Sequence, residues 1–314
     1  MDGPRTLQEA IVFYNDYANY HRFMVSVRWP DGKVCCPRCA SDHVVYLEKA
    51  RVWKCYEKHD HAKFSLKTGT IFEDSPIGLD KWLTAVWMIT SAKNGVSSYE
   101  IHRSIGVTHK TAWFMLQRIR LAMQDGTFAK AQGKVEVDET FIGGKARNMH
   151  KHIRARKVTG TGGKDKTAVI GVLERGGKIR VKVIDSRKKK PLQDHVKEHV
   201  HPGAEVFTDA LKSYEGLDEE YVHQIIDHAV AYVEGQIHTN GLENFWSLLK
   251  RTLKGTYTFV EPYHLFRYLD EQAFRFNERK DLDGDFGRFR QVVTNACERR
   301  LTYKELTGKD AETD

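Results

Sequence analysis

KVEVDETFIGG, Lys134 to Gly144, decides how the second half of the chain is read. Val135, Val137 and Phe141 recur at every second position, the period of a strand with one face on a core. Asp138 sits within that alternation. An unpaired carboxylate buried in a sheet costs several kcal/mol, so an acid at this position calls for a cation.

The pattern continues outward from this strand. TAVIGVLERGGKIRVKVID, 167–185, predicts a hairpin turning at Gly176 and Gly177. PLQDHVKEHV predicts a helix, AEVFTDA a short strand, ALKSYEGL a helix and VHQIIDH a last strand. Helices follow over 238–251 and 261–279. Three strands and then strands alternating with helices predict an α/β layer fold.

Upstream, 125–133 (DGTFAKAQG) is expected to be a linker, and the segment before it is helical. LDKWLTAVWMITSAK carries a core-facing stripe at Leu79, Trp82, Leu83, Val86 and Ile89. Ser97 with Glu100 three residues on forms a capping box for YEIHRSI, Gly106 and Val107 turn the chain, and Thr108 caps HKTAWFMLQRIRLAM. A short helix, a glycine turn and a longer basic helix predict a helix-turn-helix that offers His109 and Lys110 to a DNA groove. The bland alternative is a helical hairpin with solvated ends.

Nearer the N-terminus, LQEAIVFYNDYANYHRFMVSV reads as one helix. Cys36-Pro-Arg-Cys39 then forms a two-cysteine knuckle, two short β runs follow, and Cys55 opens a second knuckle with His59 and His61 close behind. Cys36, Cys39, Cys55 and His59 would give Zn²⁺ a closed tetrahedral site, with His61 the alternative fourth ligand and Cys35 left out. So small a unit buries too little apolar surface to fold unaided, so the ion would supply folding energy. The chain is thus expected to hold an N-terminal helix (1–33), a zinc ribbon (34–75), a helix-turn-helix (76–125) and an α/β part with a helical tail (126–314).

The net charge is +8, which suits a polyanionic partner. Between Lys145 and Lys166 stand eight Lys or Arg against one acid, and Arg187-Lys-Lys-Lys190 adds a second basic cluster. Such one-sided segments repel themselves unless they meet phosphate. No apolar run is long enough to span a bilayer and no secretory pattern opens the chain, so a cytoplasmic protein without a membrane partner is expected.

HTNGLENFWSLLKR, 238–251, places Asn240, Glu243 and Lys250 on one helical face, with Trp246 beside them. Asp209 ends the strand AEVFTD, at the carboxyl edge where α/β sheets gather their sites. Oxygen ligands from a strand, a strand end and a helix suit Mg²⁺. Glu136, Glu139, Asp185 and Asp227 are competing acids by position.

VEVDETFIGG, FTDALKSYEGL and HTNGLENFWSLLKRTLKG, with FRYLDEQAFRFNER behind, resemble the DDE transposases of bacterial insertion sequences. CPRCAS, FSLKTGTIFEDS and GVTHKTAWFMLQRIR resemble the ribbon and helix-turn-helix of the zinc-ribbon group related to the Merlin elements. The spacings of 71, 34 and 7 residues from Asp138 through Asp209 and Glu243 to Lys250 fit that group. The resemblance implies a ribonuclease-H-like catalytic domain (a mixed sheet flanked by helices), with Mg²⁺ or Mn²⁺ at its site. It also implies binding to terminal inverted repeats, cleavage there, and strand transfer into target DNA on a bacterial nucleoid; two ends must be brought together, so a dimer is the minimum expectation.

Asp138 and Asp209 match the first two acids, and Glu243 the third. In some members an asparagine has been taken as the third ligand, and Asn240 stands there. Lys250, with Arg251 and Lys254 beyond it, would hold backbone phosphate, and Trp246 would pack the helix or stack on an unpaired base. A DNA-binding regulator with structural acids, and a nuclease that cuts without joining, are the rival functions.

Overall fold

The computed structural model describes residues 3–124, 129–144, 150–152, 155, 166–226 and 239–307. The chain divides into two units, Met1–Gln124 with Lys280–Asp314, and Asp125–Arg279.

The first unit opens with α1 (Leu7–Asn15) and α2 (Tyr17–Arg28), two helices where the sequence predicts one. Asp16 makes the break: its backbone is extended and its carboxylate accepts from the Asn19 amide, capping α2. A three-stranded antiparallel sheet follows, β1 (Val44–Leu47), β2 (Val52–Cys55) and β3 (Lys63–Phe64). Arg28 ties it to the helices by donating to the carbonyls of Ser65, Leu66 and Thr68.

Next come α3 (Leu79–Ser91), α4 (Ser98–Ile105) and α5 (His109–Met123). Both halves of the Ser97–Glu100 capping box are made, and Gly106 turns the chain at φ 62°, a region glycine enters without Cβ strain. Thr108 accepts from the Thr111 amide at the start of α5.

The helical tail expected to end the α/β part divides instead. Residues from Lys280 onward belong to the first unit. There α9 (Gly284–Cys297) packs on α2, α3 and α5, and α10 (Tyr303–Thr307) closes the described chain. The Phe289 ring meets Tyr14, Phe23 and Trp87, a core drawn from four helices that no local pattern connects.

The second unit is a mixed five-stranded sheet. Its strands are β4 (Lys134–Ile142), β5 (Thr167–Glu174), β6 (Ile179–Ile184), β7 (Glu205–Asp209) and β8 (Val222–Ile226), in the order β6-β5-β4-β7-β8. β4, β5 and β6 run antiparallel, while β7 and β8 extend the sheet parallel to β4.

Helices cover both faces. On one, α6 (Lys189–His199) sets Leu192 and Val196 against Val135, Val137, Ile170 and Val172. On the other, α7 (Asn240–Thr252) and α8 (Leu265–Asn277) set Leu242, Phe245, Trp246, Leu249 and Leu269 against Val169 and Leu173. That double cover explains why TAVIGVL reads as an unbroken apolar run.

Two local expectations fail here. ALKSYEGL forms only single 3₁₀ turns at Lys212–Tyr214 and Leu217–Glu219, because Tyr214 and Leu217 are both drawn into the core and Gly216 takes a left-handed turn between them. The expected linker is pinned in part: Ala131 is buried and bridges Val200, accepting from the His201 amide and donating to the His199 carbonyl.

Candidate active site and metal centre

The parallel ladder β4–β7 pairs Lys134 with Glu205, Val135 with Val206 and Glu136 with Phe207. The same offset carries Asp138 level with Asp209. The 71-residue spacing of the two acids is therefore the register of the sheet. Alternation along each strand puts both on the face covered by α7, since Val135 and Val137 on β4 and Val206 on β7 lie in the opposite core.

Asp138 is held from α7. Trp246 Nε1 donates to its Oδ2 at 2.9 Å. The indole lies flat enough to reach it because Gly171 is opposite Asp138 on β5. A Cβ at Gly171 would stand 2.8 Å from Trp246 Cζ2 and 2.9 Å from Leu242 Cδ2. Burial drives the Asp138 carboxyl up to about 7; the Trp246 bond opposes this, and the charges of Glu139 and Asp209 add to it.

Glu136, two residues back on the same face, accepts from the Leu242 amide at 3.0 Å and from Arg175 Nε at 2.9 Å. A carboxylate at a helix N-terminus is favourable there. Gly241 makes the approach possible, since a Cβ on it would lie 2.7 Å from Glu136 Oε2. Glu136 thus docks the start of α7 onto β4. Glu139 faces the other side, where Tyr214 donates to it at 2.8 Å and Arg187 stands 3.5 Å away. Burial raises its carboxyl too, with Tyr214 and Arg187 working against the rise.

Leu242, Phe245, Trp246 and Leu249 turn α7 to the sheet, and Asn240, Glu243 and Lys250 share its exposed face. Glu243 is thus exposed, while Trp246, three residues on, reaches Asp138. Among the described residues, Asp138, Asp209 and Glu243 are not drawn within 4.8 Å of one another. Trp246 is 4 % exposed, so it packs the helix and offers no face to a base.

Arg251 and Lys254 are exposed beside Lys250. In the first unit His109 and Lys110 are exposed at the start of α5, where His109 stacks on Tyr99 and bonds Ser98 Oγ at 2.8 Å. Of the basic segment 145–166, all but Lys151 among its arginines and lysines and Lys166 at its end lie outside the described residues, as does Asp227.

The sequence singled out neither Glu136 nor Glu139 as working parts. The spacing of Glu136 and Asp138 by two was the available signal for a shared face. Nothing local points to Tyr214 or Arg187 as partners of Glu139.

The ribbon gathers its ligands closely. Cys36 Sγ stands 3.6 Å from His59 Nε2, and Cys39 Sγ 3.7 Å from Cys55 Sγ. All four ligand atoms lie within 4.8 Å of one another. Tetrahedral Zn–S bonds of about 2.3 Å imply S···S edges of about 3.8 Å, so the set fits Zn²⁺. Burial would raise the Cys36 thiol, but the Arg38 and Cys39 amides overrule it and bring it down to about 7, toward the ligating thiolate. His59 Nδ1 is fixed by the Asp60 carbonyl at 2.7 Å, leaving Nε2 for the metal. His61 and Cys35 stand outside the cluster. His61 takes a left-handed backbone (φ 57°) and gives its carbonyl to Arg38.

Comparison with known proteins covers both units. Residues 18–59 match the family described as a transposase zinc-ribbon domain, and 130–277 match the ISXO2-like transposase domain. A protein of the transposable element ISH50 of Halobacterium salinarum, itself described as uncharacterized, is 31% identical over 245 residues, covering 73% of this chain and 81% of that one. An uncharacterized transposase-like protein of Haemophilus influenzae is 33% identical over 101 residues, 32% of this chain and 81% of its own. The first matched segment holds all four ribbon ligands, and the second holds the whole five-stranded sheet with α6, α7 and α8. The chain belongs to the ISXO2-like transposase family.

Proposed function

We propose that this transposase is a metal-dependent DNA-cleaving and strand-transferring enzyme with a ribonuclease-H-like centre in its second unit. The carrying observation is Asp138 level with Asp209 on one sheet face, with Asp138 desolvated and the charge of Asp209 acting on it. Two acids so placed repel each other when charged, and a divalent ion relieves that repulsion. Asp138 and Asp209 would hold Mg²⁺ or Mn²⁺ first. Glu243, or Asn240 one turn before it, would complete the set from the exposed face of α7. What such ions supply is stabilisation of the attacking and leaving oxygens of an in-line phosphoryl displacement.

In the first step a water oxygen bonds to phosphorus and the P–O3′ bond breaks, leaving a 3′-hydroxyl on the element end. That hydroxyl then attacks a phosphodiester of target DNA, displacing its 3′-oxygen. Lys250, Arg251 and Lys254 would hold backbone phosphate beside the site. The α4-turn-α5 pair would act as a helix-turn-helix, presenting His109 and Lys110 to the terminal repeats. Two ends must meet, so the working form would be at least a dimer, inside the bacterial cell where the element resides.

Incubating the full chain with flanking end DNA and Mg²⁺ tests this. Nicked ends and joined products that vanish in Asp138→Ala support the reading. Nicks without joining would make it a nuclease, and binding without nicks a regulator.

A further inference from the structure

α6 carries a group of side chains that the proposed chemistry does not use. In Asp-His-Val-Lys-Glu-His, His195, Glu198 and His199 stand at helical spacings of three and four, which bring them to one face. One ligand atom from each lies within 4.8 Å of the others. The two imidazoles meet edge to face with centroids 4.4 Å apart, and His199 Nε2 lies 3.8 Å from Glu198 Oε2.

The second observation is His195 itself. It is 3 % exposed, and neither Nδ1 nor Nε2 has a hydrogen-bond partner among the described residues. A buried polar ring left unsatisfied costs free energy, and the rare exceptions call for an explanation. Glu198 and His199 sit at the rim, their side chains 58% and 27% exposed, so water reaches the outer side of the cluster.

We propose that His195, Glu198 and His199 form a second metal site, for Zn²⁺ or a similar imidazole-loving transition-metal dication, separate from both the ribbon and the acids of the sheet. Two imidazoles and a carboxylate make a three-ligand zinc set whose remaining position is filled by water. Zn–N bonds of about 2.0–2.1 Å require the ligands to draw together by roughly an ångström, within the reach of rotamer changes at the exposed Glu198 and half-buried His199. The charges around the site set its strength. Lys182 and Arg180 face His195 from β6, and Lys182 Nζ already stands 3.8 Å from Glu198. These cations oppose a dication, so the site binds more weakly than the three thiolates of the ribbon. Bound there, the ion would fasten α6 along its own length and raise the stability of the second unit.

Titrating Zn²⁺ into the full chain, already carrying its ribbon zinc, should reveal a second equivalent and a rise in the thermal midpoint. His199→Ala and Glu198→Gln, both at the rim and safe for folding, should each weaken that equivalent by about tenfold or more while the ribbon zinc stays. Co²⁺ distinguishes the sites, because only the ribbon gives thiolate-to-cobalt absorption. Finding no second equivalent, or one undiminished in both variants, overturns the proposal.

Discussion

Trp246 Nε1 donates to Asp138 Oδ2 at 2.9 Å, and the indole reaches that oxygen only because residue 171, opposite Asp138, is glycine. A helix residue, a strand acid and a missing side chain on the next strand thus form one device. Trp246 carries most of its surface into the core while its single polar atom fixes the carboxylate rotamer.

Gly171→Ala should damage both stability and activity. Its Cβ would fall 2.8 Å from the indole, so Trp246 must move, at a cost of about 1–3 kcal/mol for overpacking. Chemical denaturation measures the loss. Strand transfer should fall further than stability accounts for, because the Asp138 carboxylate loses its donor. A variant as stable and active as the parent would show that the close approach has no function.

Asp138 makes stability depend on pH. Its folded-state value of about 7 lies above the ordinary value of 3.8, so between these the folded chain keeps a proton that the unfolded chain has released. Stability from this group is full at low pH and is lost as pH rises toward and through about 7, on the order of a few kcal/mol. Without added divalent ion, Asp138→Asn should therefore gain stability over the parent more at about pH 8 than at about pH 5. Added Mg²⁺ should rescue the parent at the higher pH and leave the variant unmoved.

Asp138→Ala and Asp209→Ala should abolish cleavage and joining, roughly a thousandfold or more, while end binding persists. Glu243→Gln and Asn240→Ala decide the third ligand. An inactive Glu243→Gln beside a weakened Asn240→Ala assigns it to Glu243, and the reverse pattern assigns it to Asn240. Lys250→Ala should instead weaken DNA binding and flatten its salt dependence.

Removing zinc from the ribbon should unfold residues around β1–β3, because so small a sheet has little core of its own. Cys39→Ser, at the exposed ligand, should lower the zinc content and the thermal stability of the first unit together. Zinc retained in that variant would remove Cys39 from the site.

Truncation after Arg279 should destabilise the first unit, since Phe289 fills the space between Tyr14, Phe23 and Trp87. Loss of so large a buried ring costs about 3–5 kcal/mol. DNA recognition by the first unit is therefore to be tested with residues 280–314 present. A truncated chain melting like the parent would contradict the packing.

Much of this protein was legible in order along the chain. The ribbon knuckles, the capping box at Ser97, the left-handed turn at Gly106 and the amphipathic face of α7 are local. Each is set by side-chain chemistry or period within a few residues, which a sequence carries directly. Even the register of Asp138 with Asp209 was present, as a spacing whose meaning the β4–β7 ladder supplies. What only the tertiary structure decided depends on contacts between distant segments. Glu136 caps α7 from a strand more than a hundred residues away, and Trp246 turns inward to Asp138. Tyr214 and Leu217 pull an expected helix into single turns, and α9 joins the unit that begins the chain. Burial competes there with local propensity, and burial wins because its free energy is collected from partners that no window of the sequence contains.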